Sequence, residues 1–269
     1  MTATTDPPGL AGRVVVVTGA AAGIGAALCQ GFVDRGAHLV ALDRRWDEAA
    51  AATRRWREAG ALVLAADITD DGALDAALAA TLQRFGRVDV LVNNAAMRQR
   101  DLYPEAGACT VLDTEDAHWS RMFQVNVVGA LKVTRRFIRP MLAQRRGSVV
   151  MVSANGSLTL AVAPGVAEGN HPGLLNQPYD ATKAALTSLS FYLAAEVRPQ
   201  GVAVNVVFPG PTRTTGSDAL TPGREALGLK MDLLDAGHVL PLVMRLALAG
   251  ADDSGRAYDV VPWNAAHGH

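Results

Sequence analysis

The stretch that most restricts the fold runs from Arg13 to Asp43. Val14 to Thr18 is an unbroken β-branched run, the mark of a strand covered on both faces. Gly19-Ala20-Ala21-Ala22-Gly23-Ile24-Gly25 follows at once, then an apolar helical spacing through Ile24, Leu28 and Phe32, closed by Gly36. Strand, glycine turn and helix in that order open a parallel βαβ layer. Gly19 permits the tight turn, Gly23 lets backbone come close to a ligand, and Gly25 lets helix and strand pack closely. The helix start, from Ala22 onward, offers free N–H groups and a positive dipole end to a pyrophosphate. A tight βα turn with no ligand is the alternative. His38-Leu39-Val40-Ala41-Leu42 is a second strand, and Asp43 stands at its end, where a carboxylate can hold the ribose hydroxyls of an adenosine. Asp43 also selects against a 2′-phosphate, because like charges ~4 Å apart at an effective dielectric of about 20 repel by about 4 kcal/mol. The residues favour NAD; Arg44 and Arg45, next in the chain, keep NADP open.

The alternation continues. Ala61–Ala66 is a third strand with Asp67-Ile68 at its exit, and Val88–Val92 is a fourth, ending in Asn93-Asn94-Ala95-Ala96. Helices fill the gaps at Trp46–Ala59 and Gly72–Phe85. This pattern predicts one α/β domain over residues 1–269, a single doubly wound Rossmann-like parallel sheet of about seven strands with helices on both faces. Its ligand belongs at the carboxyl ends of the strands. Residues 97–114, carrying Arg98, Arg100 and Asp101, lose periodicity and read as a surface loop with solvated arginines. One long helix is expected from Glu115 to Gln144, a fifth strand from Gly147 to Val152 with Ser153 at its end, and a late helix at Leu240–Leu248. The last strand is expected at Arg256–Val261, stopped by Pro262.

Tyr179-Asp180-Ala181-Thr182-Lys183 sets a phenol and an amine four residues apart, on one face of a helix. A nearby cation favours the phenolate, so such a tyrosine can exchange a proton with an alcohol or ketone. By itself such a pair is usually a packed ring beside a solvated charge.

Composition narrows the partners. Nearly half the residues are hydrophobic, few are aromatic, and the net charge is −1. That balance gives no reason to expect nucleic acid or an anionic membrane. Cys29 and Cys109 have no metal spacing, and Met1–Leu10 lacks a signal pattern, so a reduced, cytoplasmic protein without a metal is expected. His267 and His269 read as a solvated tail, and Trp263 as a core plug or a subunit contact.

Taken together, the glycine turn from Thr18 to Gly25, Asn93-Asn94-Ala95, Asn126, Ser153, Tyr179 with Lys183, and Asn205 to Thr214 resemble the short-chain dehydrogenase/reductase family over about Gly12 to Val261. The resemblance implies hydride transfer between a nicotinamide and a secondary alcohol or ketone. It implies that Tyr179 is the general acid/base and that Lys183 lowers its pKa and holds the nicotinamide ribose. Ser153 would hydrogen-bond the substrate oxygen, and Asn126 would disturb its helix and hold a water linking Lys183 to solvent. The cofactor groove would comprise Gly19, Ala22, Gly23, Ile24, Gly25, Asp43, Arg44, Asp67, Ile68, Asn94, Ala95, Tyr179 and Lys183. Pro209, Gly210, Thr212 and Thr214 would complete it, the two threonines orienting the carboxamide. A homotetramer or homodimer is implied as well.

Three departures stand out. Ala96 occupies a position that is usually Gly. Ser153 and Tyr179 lie about twice the usual distance apart, so residues 156–177 form an insertion expected to line or cover the substrate pocket. Pro262-Trp263-Asn264 replaces the usual end of the chain. Residues 212–238 are expected to form a substrate lid. The alternatives are an NADP-dependent carbonyl reductase of the same family and a non-catalytic nucleotide-binding scaffold.

Overall fold

The computed structural model of the chain describes residues 9–47, 50–103, 109–155, 176–214 and 232–269. The elements are β1 (Val14–Thr18), α1 (Gly23–Asp34), β2 (His38–Asp43), α2 (Ala51–Glu58), β3 (Leu62–Ala65), α3 (Asp71–Phe85) and β4 (Val90–Asn93). There follow α4 (Asp116–Phe123), α5 (Ala130–Gln144), β5 (Gly147–Val152), α6 (Tyr179–Val197), β6 (Val202–Phe208), α7 (Leu240–Leu246), β7 (Ala257–Asp259) and α8 (Val260–His267). The strands make one seven-stranded sheet in the order β3-β2-β1-β4-β5-β6-β7. Every pairing is parallel, from Val40↔Leu62 at one edge to Val206↔Ala257 at the other. The doubly wound parallel sheet expected from the alternation is the observed fold.

Period-two geometry sorts each strand into two cores. Val14 and Val16 of β1 face one core, with Leu74 of α3, Phe137 of α5 and Leu186 of α6. Val15 and Val17 face the other, with Leu28 and Phe32 of α1, Trp56 of α2 and Leu242 of α7. A strand covered on both faces cannot alternate apolar with polar residues, which is why β1 is all valine up to Thr18. Burying each such side chain contributes about 1.5–3 kcal/mol. The strand order reverses between β1 and β4, and that reversal opens a crevice at the carboxyl ends.

Several boundaries differ from expectation. The helix expected from Trp46 begins at Ala51, because the Trp46 indole instead donates to the Leu64 carbonyl at 2.9 Å. The single helix of 115–144 is interrupted by a π-helical turn over Gln124–Gly129. The loop after β4 contains short 3-10 turns at Gln99–Asp101 and Val111–Asp113. The last strand ends at Asp259, not Val261, because the Asp259 carboxylate accepts from Val261 N at 3.1 Å and starts α8. Pro262 therefore lies within a helix and does not terminate the strand. Trp263 is partly buried at the margin of the second core. His267 and His269, exposed as expected for a tail, stack on its ring at 4.1 and 5.8 Å. Among the described residues, no helix is long and apolar enough to cross a membrane. Residues 156–175, most of the insertion, and 215–231, most of the expected lid, lie outside the described residues.

Candidate active site

A cleft of about 350 Å³ follows the carboxyl ends of β1 to β6. Its floor begins at the glycine turn. Asn94 holds that turn from β4: its side-chain amide donates to the carbonyls of Thr18 and Gly19 at 3.0 and 3.1 Å. The Thr18 hydroxyl in return accepts from the backbone N–H of Asn94 and of Ala95. This close approach requires glycine. A Cβ on Gly19 would stand 2.7 Å from Ala95 Cα, and one on Gly25 would stand 2.0 Å from the Gly19 carbonyl oxygen. Gly23 has φ +55°, and a Cβ there would stand 2.9 Å from Thr214 Cγ2. Helix α1 starts there with Ala22 as its N-cap, no side-chain cap and no acidic residue in its first turn. Its leading N–H groups and dipole are therefore aimed, uncapped, at the cleft. A pyrophosphate fits that chemistry.

At one end of the cleft, Asp43 accepts from Ala21 N at 3.0 Å. Arg44 is exposed beside it, and Asp67 and Ile68 line the same end. Burial raises the Asp67 pKa. The Thr69 N–H and hydroxyl and the Arg44 charge outweigh it and hold the carboxyl below its ordinary value. A carboxylate pinned by a backbone N–H at this end suits an adenosine ribose.

At the other end lie Ser153, Tyr179, Lys183, Pro209 and Thr214. Lys183 is buried, and its ammonium donates to the Val152 carbonyl at 2.8 Å. The amine stands 5.6 Å from the centroid of the Tyr179 ring. Burial pushes the Lys183 pKa down to about 8. The expected lowering of the Tyr179 pKa by Lys183 is not what this geometry gives. Burial, then the Asp180 charge, raise the phenol well above its ordinary range; the Arg98 charge acts in the opposite direction. The Ser153 hydroxyl donates to the Lys183 carbonyl at 3.1 Å and pairs with the Thr187 hydroxyl at 2.8 Å. Ser153 is thus tied to α6, the helix that carries Tyr179 and Lys183.

Asn126 lies within the π-helical turn, so the expected local disturbance of the helix is present. Its side-chain amide is held by protein groups. The amide oxygen accepts from Met97 N at 2.7 Å, and the amide nitrogen donates to Met97 O and the Thr182 hydroxyl, each at 2.9 Å. Both ends of the amide are engaged by protein groups, which makes Asn126 a clasp between the loop after β4 and α6.

The remaining expected residues divide. Gly19, Ala22, Gly23, Ile24, Asn94 and Ala95 line the cleft with the groups above. Gly25 packs beneath the turn. Gly210 and Thr212 lie behind the wall: Gly210 N donates to Asn155 Oδ1 at 2.6 Å, and the Thr212 hydroxyl donates to the Gly210 carbonyl at 3.1 Å. Asn155 also donates to Asp259 at 2.8 Å, so it ties the Pro209-Gly210 turn to the start of α8. The His238 ring bridges the carbonyls of Pro209 and Asp235. Asn155, Thr187 and His238 were not anticipated. Thr187, one turn beyond Lys183 on the Tyr179 face, is the one that helical spacing could have found.

Comparison with known proteins identifies the family. The family model for short chain dehydrogenases matches residues 13–225, and the chain belongs to the short-chain dehydrogenase/reductase family. It resembles fluoren-9-ol dehydrogenase of Terrabacter sp. (strain DBF63), 47% identical over 264 residues, which span 97% of this chain and 74% of that one. Galactitol 2-dehydrogenase (L-tagatose-forming) of Cereibacter sphaeroides is 37% identical over 208 residues, 76% of this chain and 73% of that one. The crystal structure of a short-chain type dehydrogenase/reductase from Mycobacterium marinum superposes with a TM-score of 0.77 at 22% identity, covering 93% of this chain and 94% of that one. That likeness carries the fold. The relatives named are alcohol dehydrogenases, and the family is one of oxidoreductases that use NAD or NADP.

Proposed function

We propose that the protein oxidises an apolar cyclic secondary alcohol to its ketone with NAD, and runs the reverse reaction with NADH. The observation that carries this reading is the meeting of Tyr179, Lys183 and Ser153 at one end of a cleft whose other end holds the glycine turn and Asp43. Bound NAD supplies the hydride acceptor. The chain supplies position and proton traffic. The glycine turn and the start of α1 hold the pyrophosphate, Asp43 the adenosine ribose, and Lys183 the nicotinamide ribose. Tyr179, a phenol in this setting, gives its Oη proton to the ketone oxygen in reduction, and in oxidation its phenolate form takes the proton of the alcohol. Ser153 donates to the substrate oxygen, stabilising the charge that develops there.

NAD is favoured because Asp43 is pinned by Ala21 N and would face a 2′-phosphate as a like charge. Arg44 is the counter-observation, and it makes NADP the outcome to test against. The apolar substrate is favoured by Met97 and Val152, buried residues on the cleft wall, and by the fluoren-9-ol relative, whose match spans nearly the whole chain.

A screen of fluoren-9-ol, other cyclic secondary alcohols and polyols, followed by NADH and NADPH absorbance, tests both choices. Apolar alcohols with NAD should give the highest kcat/KM. Preference for polyols would overturn the substrate class, and preference for NADP would overturn the cofactor.

We also take the working form to be a homotetramer or homodimer. Phe191 and Tyr192 of α6 are 41% and 77% exposed, an apolar pair that a second subunit would cover. A reducing, cytoplasmic setting suits the free Cys29 and Cys109.

A further inference from the structure

The loop after β4 carries four polar residues in a row, Arg98 to Asp101, whose placement the proposed chemistry has not yet used. Met97 is clasped at both its N–H and its carbonyl by Asn126. Gln99 is buried, and its side-chain amide donates to the carbonyl of Gln177 at 2.5 Å, two residues ahead of Tyr179. Arg98 lies between these two anchors, so its backbone is fixed relative to α6. Its side chain lines the cleft together with Tyr179, Lys183 and Ser153.

The charge on Arg98 is only partly answered. Its Nε is buried without a hydrogen-bond partner, and the Asp101 carboxylate stands 3.8 Å away. That carboxylate is shared. It accepts from Arg98 N at 2.7 Å and stands 3.7 Å from Arg100 Nε. Two guanidiniums over one carboxylate leave positive charge at the cleft wall. Lys183, the other cation beside the phenol, is committed to the Val152 carbonyl. The charged groups bearing on Tyr179 are thus Asp180 on its own helix and Lys183 one turn away, with Arg98 and Asp101 on the facing loop. Arg44 bears on Arg98 from the adenosine end.

We propose that Arg98 is a positioning residue for proton transfer: its guanidinium, fixed at the cleft wall, supports the negative charge on Tyr179 Oη while the Lys183 ammonium is held by the Val152 carbonyl. This rests on Tyr179 being the acid/base group of the proposed reaction. Electrostatic support of this kind does not need contact with substrate. An arginine suits it because the guanidinium keeps its charge when partly buried.

The experiment is the pH dependence of kcat/KM for alcohol oxidation, with the secondary alcohol turned over fastest in the screen above. It compares the parent with Arg98→Gln, Arg98→Lys, Asp101→Asn and Arg100→Gln. Arg98→Gln moves the acid-side limb upward by about one pH unit. It therefore costs about tenfold below the limb and little above it. Arg98→Lys returns the limb most of the way to its parent position. Asp101→Asn keeps an acceptor for Arg98 N and moves the limb the opposite way. Arg100→Gln leaves it in place, and NADH affinity by fluorescence titration stays at the parent value in every variant. A limb unmoved in both Arg98→Gln and Asp101→Asn overturns the proposal. So does a loss that is uniform with pH and accompanied by weaker NADH binding, which would assign Arg98 to the pyrophosphate. Turnover surviving in Tyr179→Phe would instead overturn the underlying reading, and the two failures are distinct.

Discussion

Asp180 is 3% exposed, and one of its carboxylate oxygens has no hydrogen-bond partner. The other accepts from Asn176 Nδ2 at 2.9 Å. Burial holds its pKa at about 6, against an ordinary 3.8, with the Asn176 bond acting in the opposite direction. Between those two values the folded chain keeps a proton that the unfolded chain releases. Stability is therefore highest at low pH with respect to this group and falls as pH rises from about 4 to about 6. A proton affinity raised roughly a hundredfold, at about 1.4 kcal/mol per factor of ten, gives a loss of about 3 kcal/mol as the upper bound. Asp180→Asn removes the titration and keeps the acceptor for Asn176. It also sets an amide nitrogen where the unpartnered oxygen was, at a cost of about 1–2 kcal/mol. The variant is then less stable than the parent near pH 4 and more stable by about 1–2 kcal/mol near pH 8. Urea unfolding at a series of pH values measures this directly. Equal pH slopes for variant and parent through this window would refute the burial of Asp180 as an acid.

Two further substitutions probe the cofactor end. Gly25→Ala sets a methyl carbon 2.0 Å from the Gly19 carbonyl oxygen, so the turn has to open. Thermal unfolding should show a loss of about 1–3 kcal/mol, and fluorescence titration should show NADH binding lost; normal binding would contradict the cradle. Asp43→Ala removes the partner of Ala21 N and the like charge facing a 2′-phosphate. KM for NAD should rise roughly tenfold or more while the NAD-over-NADP ratio falls; an unchanged ratio would remove Asp43 from cofactor selection.

The parts of the fold legible in the sequence are those whose cause is local. Val14 to Thr18 and the glycine turn are adjacent in the chain, Asp43 ends the next strand, and each follows from backbone geometry or burial at that point. Tyr179 and Lys183 are one helical turn apart, so their shared face needs no tertiary information. What escaped was set by distant partners. Trp46 left its helix for the Leu64 carbonyl. The last strand stopped where Asp259 could cap α8 and meet Asn155. Arg98 read as a solvated loop residue because its placement depends on Asn126 and Gln177, 28 and 79 positions away. Lys183 lies where the spacing put it, but its amine is turned to Val152, which no helical period could reveal.

The central claim is that the phenol of residue 179 trades protons with a substrate oxygen while a nicotinamide dinucleotide lies along the strand ends. Tyr179→Phe removes one oxygen and keeps the ring, so NADH titration and turnover on a single preparation separate binding from chemistry. The predicted result is parent-like NADH affinity with turnover reduced between roughly a hundredfold and ten-thousandfold. Turnover within about a factor of ten of the parent would contradict it.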